Sequence, residues 1–314
     1  MPRPDDPDSS DRRARDLRRG HPHRPHLDPP LAGRIMRVER LRGDAAGLDA
    51  RAAPAAPHDG IPDGFAPDDG GLAADTAVLF ELATAPVRRM ARIVYSSNAA
   101  FVLELDATDP VDASRPLRAV YKPVRGERPL WDFPHRTLHF REVATYLVAA
   151  ALSLDVIPAT TLRDGPLGPG SVQLFVDALD RELTGAEDEA LEPLLRDIAA
   201  LDVLVNNADR KQAHLLVTPD ARLRGIDHGL TFLPYPRQRT VLIELGGTAL
   251  PAGTAASVAG LAGDPAQLSA LRSRLSRLLA APEVDAFAGR LTELAADPTY
   301  PVLDPWDGRP FEWW

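Results

Sequence analysis

The residues best suited to chemistry fall in three short stretches. In Ala119-Val-Tyr-Lys-Pro123 a lysine follows apolar, strand-forming neighbours. Its ammonium therefore belongs beside a core and needs an anionic partner to offset a desolvation cost of roughly several kcal/mol. A partner stands twenty residues on, where Arg141-Glu142-Val-Ala-Thr-Tyr146 places a carboxylate at the start of an apolar helix. A strand lysine held by a helix glutamate can position the α- and β-phosphates of a nucleotide, although buried Lys–Glu pairs also serve as plain structure. The second stretch is Leu201-Asp-Val-Leu-Val-Asn-Asn-Ala-Asp-Arg-Lys-Gln-Ala-His214. Asp209 is the candidate to accept a proton from, or orient, an attacking hydroxyl, and Arg210 or Lys211 to offset transferred phosphate charge. Asn-Asn-Ala-Asp is equally good turn chemistry. The third, Gly225-Ile-Asp-His-Gly229, sets Asp227 just past a short strand. A carboxylate there can hold Mg²⁺ while glycine lets the chain turn sharply; a simple turn is the plainer alternative.

Composition sharpens the choice. The chain has 34 arginines but only two lysines, Lys122 and Lys211, and only three asparagines, Asn98, Asn206 and Asn207. Arg, Ala and Pro enrichment is what a GC-rich coding sequence produces. Lysine kept against that drift suggests a task that needs a compact point charge, which arginine does not supply. There is no cysteine, so disulfides, thiolate metal sites and cysteine nucleophiles are excluded. A net charge of −9 argues against nonspecific nucleic-acid binding as the main activity.

The elements that must position these groups follow from periodicity and punctuation. Residues 1–75 carry eleven prolines and eight glycines with dense Arg and Asp, and the first aromatic is Phe65, so a disordered tail is expected. Its arginines leave peripheral contact with an acidic partner or membrane surface open. Arg92 to Tyr95 and Phe101 to Leu105 read as a hairpin joined by Ser96-Ser-Asn-Ala-Ala100. Leu117–Pro123 and Gly170–Asp177 read as strands, and Leu215–Val217 with Leu223–Ile226 as a short strand pair. Thr137–Leu152, Leu191–Val205 and Gln267–Leu294 read as helices, the last divided by Pro282. The Trp131-Asp-Phe-Pro134 segment, Trp306 and Phe311-Glu-Trp-Trp314 suit packing, or a partner surface. Strands precede helices, which predicts an α+β fold. No apolar run is long enough to span a bilayer and no secretory signal is visible, so a cytoplasmic protein is expected.

The serial order of strand lysine, helix glutamate, connecting strand, Asp-bearing loop, strand pair and Asp-x-Gly resembles the phosphatidylinositol 3-/4-kinase superfamily, over about residues 90–236. Gly170-Ser-Val-Gln-Leu-Phe-Val176 resembles the hinge strand of type II phosphatidylinositol 4-kinases. Leu201-Asp-Val-Leu-Val-Asn-Asn-Ala-Asp-Arg210 resembles their catalytic loop, and Gly225-Ile-Asp-His-Gly-Leu-Thr-Phe232 their metal-binding segment. The resemblance implies a two-lobed protein-kinase-like fold, with an N-lobe at 76–176 and a C-lobe at 177–314, and transfer of the γ-phosphate of ATP to a hydroxyl. It implies Lys122 on the phosphates held by Glu142, Val176 bonding adenine with Gln173 and Phe175 around it, Asp209 with Arg210 as catalytic residues, and Asp227 on Mg²⁺. The phosphate-covering loop would be Ser96–Ala100, with Ser97 and Asn98 as candidate nucleotide contacts; it has no glycine, which weakens backbone cradling of phosphate unless seryl hydroxyls substitute. His214 takes the place of the family's second metal ligand, an asparagine, and suggests Mn²⁺ tolerance, a phosphate contact or impaired turnover. A nucleotide-binding pseudokinase that acts as an interaction module, and an AMPylating enzyme, are the competing readings.

Overall fold

The computed structural model describes residues 38–40, 61–62, 65–66, 71, 73–94, 96, 98–110, 112–181, 183 and 185–310. The chain divides into the units Met1–Pro30 and Leu31–Trp314, and every described residue lies in the second. The expectation for the tail falls mostly outside the described residues. One part of it differs: Val38–Arg40 (β1) pairs antiparallel with Val87–Ile93 (β2), aligning Val38 with Ile93.

Among the described residues, β1 and β2 continue into a six-stranded antiparallel sheet with Phe101–Thr108 (β3), Pro116–Pro123 (β4), Thr160–Gly165 (β5) and Gly168–Leu174 (β6). The strand order is β1-β2-β3-β4-β6-β5. Alternation along β4 buries Leu117, Ala119 and Tyr121 on one face and leaves Arg118, Val120 and Lys122 half-buried on the other. The β5–β6 hairpin turns through Pro166 and Leu167, with Gly168 at φ 93°, a conformation that glycine alone adopts without strain. Gly170 is needed for a different reason: a Cβ there would lie 2.4 Å from the carbonyl oxygen of Lys122 on β4.

The strand expected at 170–177 runs instead from Gly168 to Leu174, so Phe175 and Val176 lie just past its end. The hairpin expected at 92–105 is formed by the longer β2 and β3. Besides β1, three elements lacked a legible signal: β5, whose Arg163 and Asp164 interrupt its apolar pattern, Thr76–Thr84 (α1), and the Ala- and Gly-rich Ala252–Gly263 (α4). Arg163 closes the end of α1, donating to the carbonyls of Leu82 at 2.8 Å and Ala85 at 2.5 Å.

Leu138–Ala151 (α2) forms within the helix expected at 137–152. It is buried all round from Leu138 to Ala149, Arg141 and Glu142 included, because it lies between the sheet and the later helices. Glu192–Leu204 (α3) leads into the Asp209 loop, and Leu215–Val217 (β7) pairs with Leu223–Gly225 (β8). Pro265–Leu275 (α5) and Ala281–Ala296 (α6) follow α4. Pro282 falls in the first turn of α6, where its missing N–H costs nothing, so it starts that helix rather than merely interrupting one. Apolar packing passes without a break from α1 and the sheet through α2 to α3 and α6. Among the described residues, no helix is long and apolar enough to cross a membrane.

Candidate active site

The site is assembled from β4, α2, the loop after α3, the turn before β7 and the segment after β8. On β4, Lys122 projects its ammonium to two carboxylates at once. Nζ donates to Glu142 Oε1 at 2.5 Å and to Asp227 Oδ1 at 2.8 Å. Burial works against the charge of Lys122, but Asp227 and Glu142 outweigh it and hold the ammonium above the ordinary lysine range. Glu142 is pushed upward by burial, with Lys122 opposing. Its second oxygen accepts the backbone N–H of His228 at 3.1 Å, tying α2 to the Asp227 segment.

Asp227 follows β8 with φ 60°, a left-handed conformation that non-glycine residues adopt at a cost. Its carboxylate keeps 47% exposure although the surrounding charges are close. Lys122 pulls its pKa far below the usual carboxylate range, against burial and with help from His214. His214 Nε2 lies 3.3 Å from Asp227 Oδ2, while its Nδ1 faces the backbone N–H of Lys211 at 3.4 Å. Nδ1 therefore accepts, and Nε2 carries the proton. Burial first, with Asp227 opposing and nearby cations assisting, pushes His214 down to about 4, so the ring is neutral.

Asp209 closes the other side. Its carboxylate pairs with Lys211 Nζ at 2.8 Å, and its backbone N–H donates to Asn207 Oδ1 at 3.0 Å. Burial raises its pKa, opposed by Lys211. Both lysines of the whole chain thus pair with aspartates of this one site.

Arg210, expected to offset transferred phosphate charge, is fully buried. Nε and Nη2 donate to the two oxygens of Asp202 at 2.7 and 2.9 Å, and Nη2 lies 2.6 Å from His228 Nε2. Nη1 donates to the carbonyls of Ile226 at 3.0 Å and His214 at 3.3 Å. One planar guanidinium thus ties α3 to the segments carrying Asp209, His214 and Asp227. Asn207 Nδ2 adds a 2.8 Å bond to Asp202, and Asn206, at φ 52°, donates to the carbonyls of Leu233 and Tyr235. Asp202 and His228 were not among the expected site residues. The signal available was a carboxylate inside the otherwise apolar Leu201–Val205, which has to be paired if buried.

The residues expected around adenine are less gathered. Gln173 is buried and spends its amide on Thr160 Oγ1 at 2.8 Å. Phe175 carries the Arg118 guanidinium 4.3 Å over its ring, and the Val176 carbonyl accepts from Ala178 at 3.0 Å. Asn98 accepts the Arg128 N–H at 2.9 Å, which pins its loop to the segment after β4. Ser97 lies outside the described residues, as does 311–314.

No family model matches the chain. The Mycobacterium tuberculosis protein Rv2133c is 36% identical over 270 residues, covering 74% of this chain and 93% of that protein. The chain belongs to the Rv2133c family. Among solved structures, the Helicobacter pylori proinflammatory kinase CtkA aligns with a TM-score of 0.37 at 9% identity, over 70% of this chain and 91% of CtkA.

In this member of the Rv2133c family, the donor set decides what cation the site suits. Among the described residues, no three His, Asp or Glu side chains gather into a protein-only cage. Asp227, exposed and with its charge near enough to raise the pKa of Asp209, suits Mg²⁺, which usually takes one or two carboxylates and fills its remaining positions with phosphate and water. His214 does not suit a ligand role in this arrangement, since a metal-bound Nε2 would need Nδ1 to donate, and Nδ1 faces a donor.

Proposed function

We propose that this chain is an ATP-dependent phosphotransferase with a two-lobed kinase-like fold, residues 76–176 forming one lobe and 177–314 the other. The observation that carries the reading is the position of Lys122, a strand lysine bonded at once to a helix glutamate and to the Asp227 carboxylate. Removing Asp227 from that triad and putting a phosphate oxygen in its place leaves a lysine already oriented by Glu142. Phe175 and Val176, at the end of β6, would meet the adenine, and the buried amide of Gln173 would hold β5 against β6 beneath it. Asp209 takes the proton of the acceptor hydroxyl as the new acceptor O–P bond forms, the bond between the γ-phosphorus and the bridging oxygen breaks, and ADP leaves. Burial raises its pKa above the ordinary aspartate value, which makes it a stronger proton acceptor. Lys211 steadies that carboxylate and offsets charge on the transferred group. A divalent cation on Asp227, when bound, neutralises phosphate charge.

The acceptor is proposed only as a hydroxyl, on a lipid headgroup, a small molecule or a protein. The test uses the full chain with α- and γ-labelled ATP and Mg²⁺ or Mn²⁺. Its own hydroxyls, phosphatidylinositol vesicles and a serine-rich peptide mixture serve as acceptors. The expected result is transfer of the γ label with release of ADP. Transfer of the α label would replace this reading with AMPylation. Binding of a nonhydrolysable ATP analogue without transfer would replace it with a pseudokinase, which the engagement of both Asp227 oxygens by the protein's own donors favours.

A further inference from the structure

Asp227 carries a protein donor on each oxygen, and that has a consequence for binding order. Oδ1 accepts from Lys122 Nζ at 2.8 Å, and Oδ2 faces the Nε2–H of His214 at 3.3 Å. A divalent ion approaching Oδ1 meets a unit positive charge already seated there, and one approaching Oδ2 meets a proton that the Lys211 N–H keeps on Nε2. Repulsion between cations a few ångströms apart is strong at a partly desolvated site. Lys122 can leave Asp227 without losing every partner, because Glu142 stays bonded to it, and its side chain is 27% exposed. The ammonium is thus the movable part, with Glu142 as its pivot.

We propose that Lys122 and His214 act as built-in donors that keep Asp227 closed to a divalent cation until a phosphate-bearing ligand draws the Lys122 ammonium away, an order that rests on reading Asp227 as the metal-holding carboxylate. The anion binds without metal, the metal alone binds poorly, and each then raises the affinity of the other by the same factor.

The test is Mn²⁺ binding to the full chain, followed by electron paramagnetic resonance and calorimetry, with inorganic pyrophosphate as the anion probe. Surface carboxylates of an acidic protein also take up Mn²⁺, so the quantity read is the part lost in Asp227→Asn. Wild type is expected to bind pyrophosphate in chelator and to bind Mn²⁺ alone weakly. Lys122→Met is expected to bind Mn²⁺ alone about tenfold more tightly than wild type, the effect of one displaced ion contact. Lys122→Met/Glu142→Gln, which leaves no unpaired buried carboxylate, is expected to do the same, with circular dichroism reporting that each variant is folded. Mn²⁺ affinity unchanged or weakened in the folded double variant overturns the proposal, as does tightening that Asp227→Asn does not abolish. Phosphate transfer by wild type without this tightening would sink the ordered binding and spare the kinase reading. Tightening without transfer would do the reverse.

Discussion

Asp209 and Arg210 are adjacent in the chain yet differ in their partners, Lys211 for the one and the buried Asp202 for the other, and substitutions should separate them. Asp209→Ala removes the proposed proton acceptor while leaving Lys122, Glu142 and Asp227 in place. Its phosphotransfer rate is expected to fall about 10²–10⁴-fold with nucleotide affinity retained, the usual scale for a general base. Equal rates for mutant and wild type would remove Asp209 from the reaction. Arg210→Met strands the buried Asp202 carboxylate and should cost about 3–5 kcal/mol of stability, seen as a lower midpoint in urea. Asp202→Leu/Arg210→Met removes both charges and is expected to recover much of that loss while positioning stays impaired. A double mutant no more stable than Arg210→Met would mean that the pair is not energetically coupled. At this scale the pairing of Lys122 with Glu142 was legible from residue type and neighbours, whereas Asp209 and Asp227 read as turn residues until the serial order of the segments singled them out. The inward turn of Arg210 was not legible, because an arginine next to a loop aspartate can point either way.

Elements bring these groups together through close approach and nearly complete burial, and both can be probed. Gly170→Val places a side chain against the Lys122 carbonyl, so β6 must draw away from β4. Loss of both stability and nucleotide affinity is expected. A variant that binds the nonhydrolysable analogue as wild type does would show that the approach is dispensable. The burial of α2 also encloses His139, whose ring packs on Phe140 at 3.8 Å and leaves both nitrogens without a hydrogen-bond partner. Burial, helped by Arg136, pushes its pKa down to about 3. The unfolded chain therefore takes up a proton near pH 6.5 that the folded chain refuses until about 3. Stability contributed by the neutral ring is full above the unfolded value and is lost as pH falls below it, by up to roughly 2 kcal/mol between pH 7 and 5. His139→Phe should flatten that acid slope and, with no orphaned nitrogens, be no less stable than wild type at pH 7. Parallel slopes for the two proteins would assign the acid loss to other groups. The buried helix was legible as apolar periodicity, but its burial on every side was not. That depends on which elements pack around it.

Across the whole molecule, Arg141 joins parts of the chain that lie far apart. From α2 it donates to Glu283 of α6 and to the carbonyl of Thr231, beyond Asp227, and it stands 5.2 Å over the Phe133 ring. Both members of the ion pair are buried. Arg141→Met leaves the Glu283 carboxylate unpaired and is expected to cost about 3–5 kcal/mol, lowering Tm by roughly 10 °C. A shift within about 2 °C would mean that the helices and the Asp227 segment are held by apolar packing alone. The amino-acid order by itself determined the α+β class, the main strands and helices, and which side chains had charges worth pairing, because these depend on neighbours within a few residues. Only the tertiary structure decided that Lys122 meets Asp227 as well as Glu142, that Arg210 turns inward to Asp202, and that His214 presents a proton rather than a lone pair. Hydrogen-bond direction and partner choice across long separations in the chain depend on how the backbone converges, and no local spacing records that.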